Sequence, residues 1–356
     1  MATWTTTHPL KLSTQGQLTT CHFSSTVGKC IWTAAHYHKD NIRRLALLVF
    51  DIETLEQNQV DCEIPDGYLL SNMTSSDDKI FIFFMKQYRN GPHDVKMVEF
   101  HTVSGIFTDF PDFPCHSISG RPQATGDVVY VLCRNQTLIM LDLSKKEIME
   151  IPLEIDNLPA FSYEILVKND QLYLIGLGPT ERMVAVINDQ WQVIELKRDD
   201  FYERGSYNCF VSSNWFDGNL LLTCYERGRN DITTRLILDT FDFDNLEWHR
   251  KRVDASAGYP DESDNIPAVQ IDNTVFAHVC ARSRYHLDWC IVKFELTPES
   301  ELSLTDMCLR SLVDRALKGE KMDMNQFPDG LRRKLENMVK SRRWAKNNDP
   351  FQFFPR

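Results

Sequence analysis

The chain has 356 residues, 42% of them hydrophobic, with a formal net charge of −11 and only 15 glycines. That is enough apolar material for one large all-β domain or two ordinary ones, and it excludes a disordered chain. No apolar run approaches the roughly 18–20 residues of a membrane-crossing helix, and the Thr-rich stretch Met1 to Gln15 lacks the basic-then-apolar build of a secretory leader.

Taken in chain order, apolar β-rich runs recur with a period of about fifty residues. The first unit has Lys29 to Tyr37, Arg44 to Thr54 and, after the turn Asp51-Ile52-Glu53-Thr54, a third run from Gln57 to Ile64. Gly67 to Ser75, Lys79 to Lys86 and Val95 to Val103 follow, then Val128 to Arg134 and Thr137 to Ser144. Ala160 to Val167, Gln171 to Gly178 and Met183 to Gln190 make the next group. After it come Tyr207 to Asn214, Asn219 to Arg227, Thr233 to Phe243 and Glu247 to Asp254. The last is Ile266 to Ile271, Thr274 to Ala281 and Asp288 to Thr297. Polar turns separate the runs, so each unit reads as four antiparallel strands joined by hairpins.

A four-stranded sheet that is apolar on both faces must stack against its neighbours, and radial closure leaves only short edges. The expected fold is therefore all-β, a six-bladed β-propeller over residues 1–300, followed by a helical appendage over 301–356. Pro298 interrupts the chain where the last sheet needs an outer strand, so a segment near Trp4 to Thr7 or Lys11 to Ser13 is expected to pair there. Two stacked β-sandwiches are the alternative. The pieces Val49-Phe50-Asp51-Ile52-Glu53-Thr54 and Phe241-Asp242-Phe243-Asp244-Asn245-Leu246-Glu247-Trp248 resemble the end of a kelch repeat, where an aspartate-bearing turn precedes a tryptophan. The kelch glycine doublet is missing; Ala34-Ala35 and Gly176-Leu177-Gly178 come nearest, so the chain is kelch-like rather than kelch.

From residue 303 composition and period both change. Residues 303–356 carry 12 Lys+Arg against 7 Asp+Glu, whereas the rest carries 27 against 43. Nucleic acid is therefore not an expected partner of the acidic body. Leu304, Cys308, Leu312 and Ala316 fall on one helical face, with Ser303 as cap and Gly319 as stop. The segment Ser303-Leu304-Thr305-Asp306-Met307-Cys308-Leu309-Arg310-Ser311-Leu312 is similar to the BC box, the elongin-binding helix of cullin-RING substrate receptors. Downstream, Phe327-Pro328-Asp329-Gly330-Leu331-Arg332-Arg333-Lys334-Leu335 looks like a cullin box of the von Hippel-Lindau type. The suppressor-of-cytokine-signalling variant would need Leu-Pro-x-Pro, which Gln326-Phe327-Pro328-Asp329 does not supply.

The resemblance implies elongin B/C contacts through Leu304, Cys308 and Leu312, and cullin contacts through Phe327, Pro328, Leu331 and Leu335. It implies a substrate-recruiting ubiquitin-ligase subunit whose propeller binds a protein or peptide target. A helical hairpin that merely packs on the propeller rim needs the same apolar stripe and stands as the alternative.

Arg227, Arg229, Arg282 and Arg284 fall in corresponding loops of adjacent units and are expected to favour an acidic ligand. His36 and His38 share a strand face that His22 approaches, a spacing that can bind metal but fits a structural role better. No Cys-x-x-Cys pair, Gly-x-Ser-x-Gly, His-Glu-x-x-His or phosphate loop occurs, so neither an enzyme, a metal nor a cofactor is expected; a propeller hydrolase or lyase is the weaker alternative. Cysteines such as Cys133 and Cys224 lie in apolar runs, where a free thiol acts as a small hydrophobe. A reducing setting, cytoplasmic or nuclear or both, is expected.

Overall fold

A computed structural model of the chain describes residues 10–86, 94–110, 113–154, 162–177, 181–200, 206–216, 219–228, 234–257, 268–272, 274–282 and 287–295. The described residues form an all-β, propeller-like assembly of four-stranded antiparallel sheets. The first strand, β1 (Leu10–Lys11), belongs to the last sheet. Sheet I holds β2 (Gln17–Val27), β3 (Cys30–Lys39), β4 (Ile42–Asp51) and β5 (Gln57–Cys62). Sheet II holds β6 (Leu69–Ser76), β7 (Lys79–Lys86), β8 (Asp94–His101) and β9 (Ile106–Phe110). Sheet III holds β10 (Gln123–Thr125), β11 (Val128–Leu132), β12 (Thr137–Asp142) and β13 (Glu147–Pro152). Sheet IV holds β14 (Ser162–Lys168), β15 (Gln171–Leu177), β16 (Glu181–Ile187) and β17 (Val193–Asp200). Sheet V holds β18 (Ser206–Phe216), β19 (Asn219–Gly228), β20 (Thr234–Asp242) and β21 (Glu247–Ala257). Sheet VI holds β22 (Ala268–Ile271), β23 (Thr274–Arg282) and β24 (Leu287–Glu295), with β1 on its far side.

The expected sharing of the last sheet by both ends of the described chain is present. Leu10 pairs with Ile291 and Lys11 with Cys290, so the outer position of sheet VI is filled from the N-terminal side. The chain then passes over sheet I to start β2. Gly16 lies there against the His38 carbonyl, and a Cβ would sit 2.1 Å from that oxygen, so only glycine fits.

Strand β7 explains why the sheets stack. Its run Lys79-Ile80-Phe81-Ile82-Phe83-Phe84-Met85-Lys86 is apolar on both faces, and five consecutive side chains are fully buried. Ile80, Ile82 and Phe84 pack with Trp32, Ala34, Leu45 and Leu47 of sheet I. Phe81 and Phe83 turn the other way, onto Val129, Val131, Ile139 and Leu141 of sheet III. Burial of each such side chain stabilises by about 1.5–3 kcal/mol. The pattern continues in chain order: Leu132 and Leu138 meet Ile165 and Leu174, and Ile175 and Val184 meet Leu220, Leu222 and Phe241. Strand β18 runs beside β22, and Val269, Ile271, Phe276 and Ile291 of sheet VI pack on Cys21, Ile31, Tyr37 and Leu48 of sheet I.

The aspartate-bearing turns recur between third and fourth strands. Asp51 Oδ1 accepts the Glu53 and Thr54 amides at 2.8 and 3.0 Å, and Asp242 Oδ1 accepts those of Asp244 and Asn245 at 2.8 and 3.1 Å. Asp142 accepts the Lys145 amide at 3.0 Å, and Asn188 does the same work after β16. Side-chain oxygens here replace the ladder partners that the turn lacks.

One expectation about cysteine differs. Cys115 and Cys133, both in the core, lie side by side within disulfide-forming reach instead of standing apart in their apolar runs. Segment 117–119 runs antiparallel to the end of β11, with Ser119 N–H donating to Leu132 O at 2.7 Å and Arg134 N–H to Ser117 O at 2.9 Å. That pairing brings the two Cα atoms to 6.1 Å, a juxtaposition which the separation of 18 residues did not signal. Cys30 and Cys62 are free thiols, and burial pushes Cys62 up to about 12, which makes it inert.

Candidate functional site

The innermost strands are polar where the middle strands are apolar. Side chains from β2, β6, β14 and β22, and from the segment entering β10, line one cavity of about 130 Å³. Ser25, Ser75, Arg121, Gln123, Glu164 and Gln270 give it hydroxyls, amides and one charge of each sign. Ser25 and Ser75 stand fifty residues apart and share a hydrogen bond, so the sequence period places like residues side by side on neighbouring inner strands. Ser75 Oγ also donates to the Thr26 carbonyl at 2.7 Å.

Arg121 spans this cavity. Its backbone N–H donates to Tyr163 O at 3.1 Å and its Nη2 donates to the Ser24 carbonyl, so one residue ties sheets I, III and IV together. Gly120 makes the approach possible: φ is +123°, and a Cβ would lie 1.5 Å from Tyr163 O. Asn72 Nδ2 donates to Gly120 O at 2.7 Å and adds sheet II to the junction. At about 130 Å³ the space falls short of the ~300–1,000 Å³ of ordinary ligand pockets, and its two charges balance. It serves as a polar clasp on the inner strands.

The second cluster lies at the end of sheet I where β3 gives way to β4. Strand β2 bulges between Cys21 and Phe23, which turns His22 toward β3. His22 Nε2 lies 2.6 Å from His36 Nδ1, the rings meeting edge to face, and Arg43 Nη2 lies 3.1 Å from the same nitrogen. Arginine only donates, so His36 Nδ1 carries no proton and accepts, and His22 Nε2 carries one and donates. Burial lowers His22 to about 4 and His36 to about 3, helped in both by the Arg43 charge. His36 is buried, His22 half-buried, and His38 and Arg43 are exposed. The sequence had placed His22 near His36; it gave no sign of Arg43, which the hairpin brings back over the pair. Among the described residues no three His, Cys, Asp or Glu side chains gather as a metal would require.

A third cluster closes sheets IV and V. Arg182 of β16 donates to Asp239 of β20 at 2.8 Å, reaches Asp199 at 3.5 Å, and lies over the Trp248 ring with its guanidinium carbon 4.2 Å from the centre. Trp248, the tryptophan of the kelch-like segment, also packs on Phe241 at 4.9 Å. Asp239 is wholly buried.

Of the residues expected to carry function, Arg227 and Arg282 fall in strands, at the ends of β19 and β23, level with the end of β3 in its sheet. Arg229 and Arg284, the elongin set Leu304, Cys308 and Leu312, and the cullin set Phe327, Pro328, Leu331 and Leu335 lie outside the described residues. Among the described residues no helix is long and apolar enough to cross a membrane. The chain is an all-β protein of propeller-like build with a polar centre. It matches no family model, and no curated protein is similar to it.

Proposed function

We propose that the chain is a substrate-recruiting subunit of an elongin/cullin-RING ubiquitin ligase, built on a six-bladed, kelch-like propeller over residues 1–300 and acting in the cytoplasm, the nucleus or both. One observation supports this most: the outer place on sheet VI is taken by Leu10–Lys11, so no segment after Glu295 is needed there. The sheet plan therefore makes no demand on the residues that resemble the BC and cullin boxes, 303–335, and on this reading they are offered to a partner. Helix-in-groove docking would seat Leu304, Cys308 and Leu312 in elongin C, with a cullin on Phe327, Pro328, Leu331 and Leu335.

On this reading the chain performs no chemistry. It holds a protein target beside a ubiquitin-charged enzyme and so raises their effective concentration. The test is capture of elongin B/C by the full chain and by its Leu304→Asp/Cys308→Asp variant. Recovery by the parent and loss in the variant are expected; equal recovery by both eliminates the reading and leaves a kelch-like interaction scaffold.

A further inference from the structure

The His22, His36 and Arg43 nitrogens are arranged with one lone pair facing two donors. Arg43 Nη2 and His22 Nε2 converge on His36 Nδ1 from 3.1 and 2.6 Å, yet that nitrogen has a single pair to share. Arg43 has no carboxylate within ion-pair distance among the described residues, although the chain carries −11 overall. The groups whose charge bears on His36 are His22, Arg43 and His38, all cationic or able to become so. Lys39 and Arg44 lie on the same hairpin, with Asp40 the one acid among residues 38–44. At the corresponding end of sheet II, Tyr68 gives its hydroxyl to Asp94, and Lys86 and Lys96 sit 5.7 and 4.8 Å from its ring centre.

We propose that His22, His36 and Arg43 form a proton-linked binding site for a phosphate monoester at the solvent edge of sheets I and II. A phosphate oxygen entering from the exposed Arg43 side accepts from Arg43 Nη2 and His22 Nε2. His36 takes one proton from the buffered solvent at Nδ1, which ends its acceptance from His22 Nε2, and it becomes the third donor to the same anion. Arg43 and protonated His36 then carry two positive charges against the two negative charges of the dianion. A carboxylate leaves one of them unmatched, and so binds less well. Burial that keeps both imidazoles neutral in the free protein is offset by the anion, so binding and proton uptake are the same event.

The full chain is titrated with inorganic phosphate at pH 8.5, where the dianion predominates, and constant ionic strength, by calorimetry in two buffers of different ionisation heat and by the ring resonances of ¹⁵N-labelled histidine. Uptake of about one proton per phosphate is expected, with the His36 signals moving to the protonated pattern. Arg43→Gln, at an exposed position, weakens binding by roughly tenfold or more, and Arg43→Lys recovers part of it. His36→Gln binds without proton uptake, a result that a merely structural role for His36 would not give. Phosphoserine peptide and sugar phosphate as further probes tell a protein ligand from a metabolite by which binds tighter. Unmoved His22 and His36 resonances at saturating phosphate, no proton uptake, or acetate binding as tightly as phosphate would each overturn the proposal.

Discussion

The interface between sheets I and II and that between sheets IV and V meet the same architectural demand in opposite ways. In the first, Trp32, Leu45, Leu47, Ile80, Ile82 and Phe84 make a dry seam, and the ionisable groups at its edge, His22 and His36, are kept neutral. In the second, Arg182 and Asp239 stay paired inside, with Trp248 as a lid over the guanidinium. A neutral imidazole avoids the cost of burying a charge but is sensitive to protons, whereas a buried ion pair fails badly when one partner goes.

The largest effect expected from that contrast is at sheets IV and V. Asp239→Ala leaves the Arg182 charge buried beside Trp248 and should lower stability by about 3–5 kcal/mol. Urea unfolding measures this. The double change Arg182→Met/Asp239→Leu should recover most of the loss, because no unpaired charge remains buried and Asp199 is partly exposed; a double variant as weak as the single would show that the pair's geometry, not its charge, holds the sheets.

The next effect is at sheets I and II and depends on pH. His22 and His36 have folded values of about 4 and 3 against 6.5 when free, so below pH 6.5 the unfolded chain takes protons that the folded chain refuses. Their stabilising contribution is complete above pH 6.5 and declines as pH falls toward the folded values, by at most about 1.4 kcal/mol per pH unit for each histidine. Stability measured from pH 7 to 5 should fall accordingly, and His22→Gln or His36→Gln should flatten the slope; an unchanged slope would mean that neither imidazole is buried as described.

The smallest effect is expected at the aspartate turns. Lys145 and Ser144 hold the Asp142 carboxyl well below the usual carboxylate range, and backbone amides from Thr54 and Glu53 lower that of Asp51, yet both turns face solvent. Asp142→Ala and Asp51→Ala should each change stability no more than ordinary surface substitutions do, with a thermal scan as the check. A loss as large as that from Asp239→Ala would make these turns, not the seams, the chief fasteners of the sheets.

The middle strands were legible because both faces are apolar: Lys79 to Lys86 matches β7, and Gln171 to Gly178 takes in the whole of β15. The first strands were harder. Strand β10 is only Gln123-Ala124-Thr125, polar and short, and β2 is broken by two bulges that disturb its alternation. Contacts between sheets left no local trace at all. Arg182 and Asp239 stand 57 residues apart in ordinary strands, and Arg121 reaches Ser24 across 97. The His22–His36 approach could be read from two neighbouring runs. Arg43 could not, since its role depends on which way the β3–β4 hairpin folds its side chain.

Hydrogen exchange of the full chain, with and without elongin B/C, tests the central claim most directly. The account predicts that added elongin B/C raises protection within residues 303–339 and leaves the β1–β24 pairing and the β7 core as they were. Unchanged exchange across 303–339 in saturating elongin B/C would contradict it.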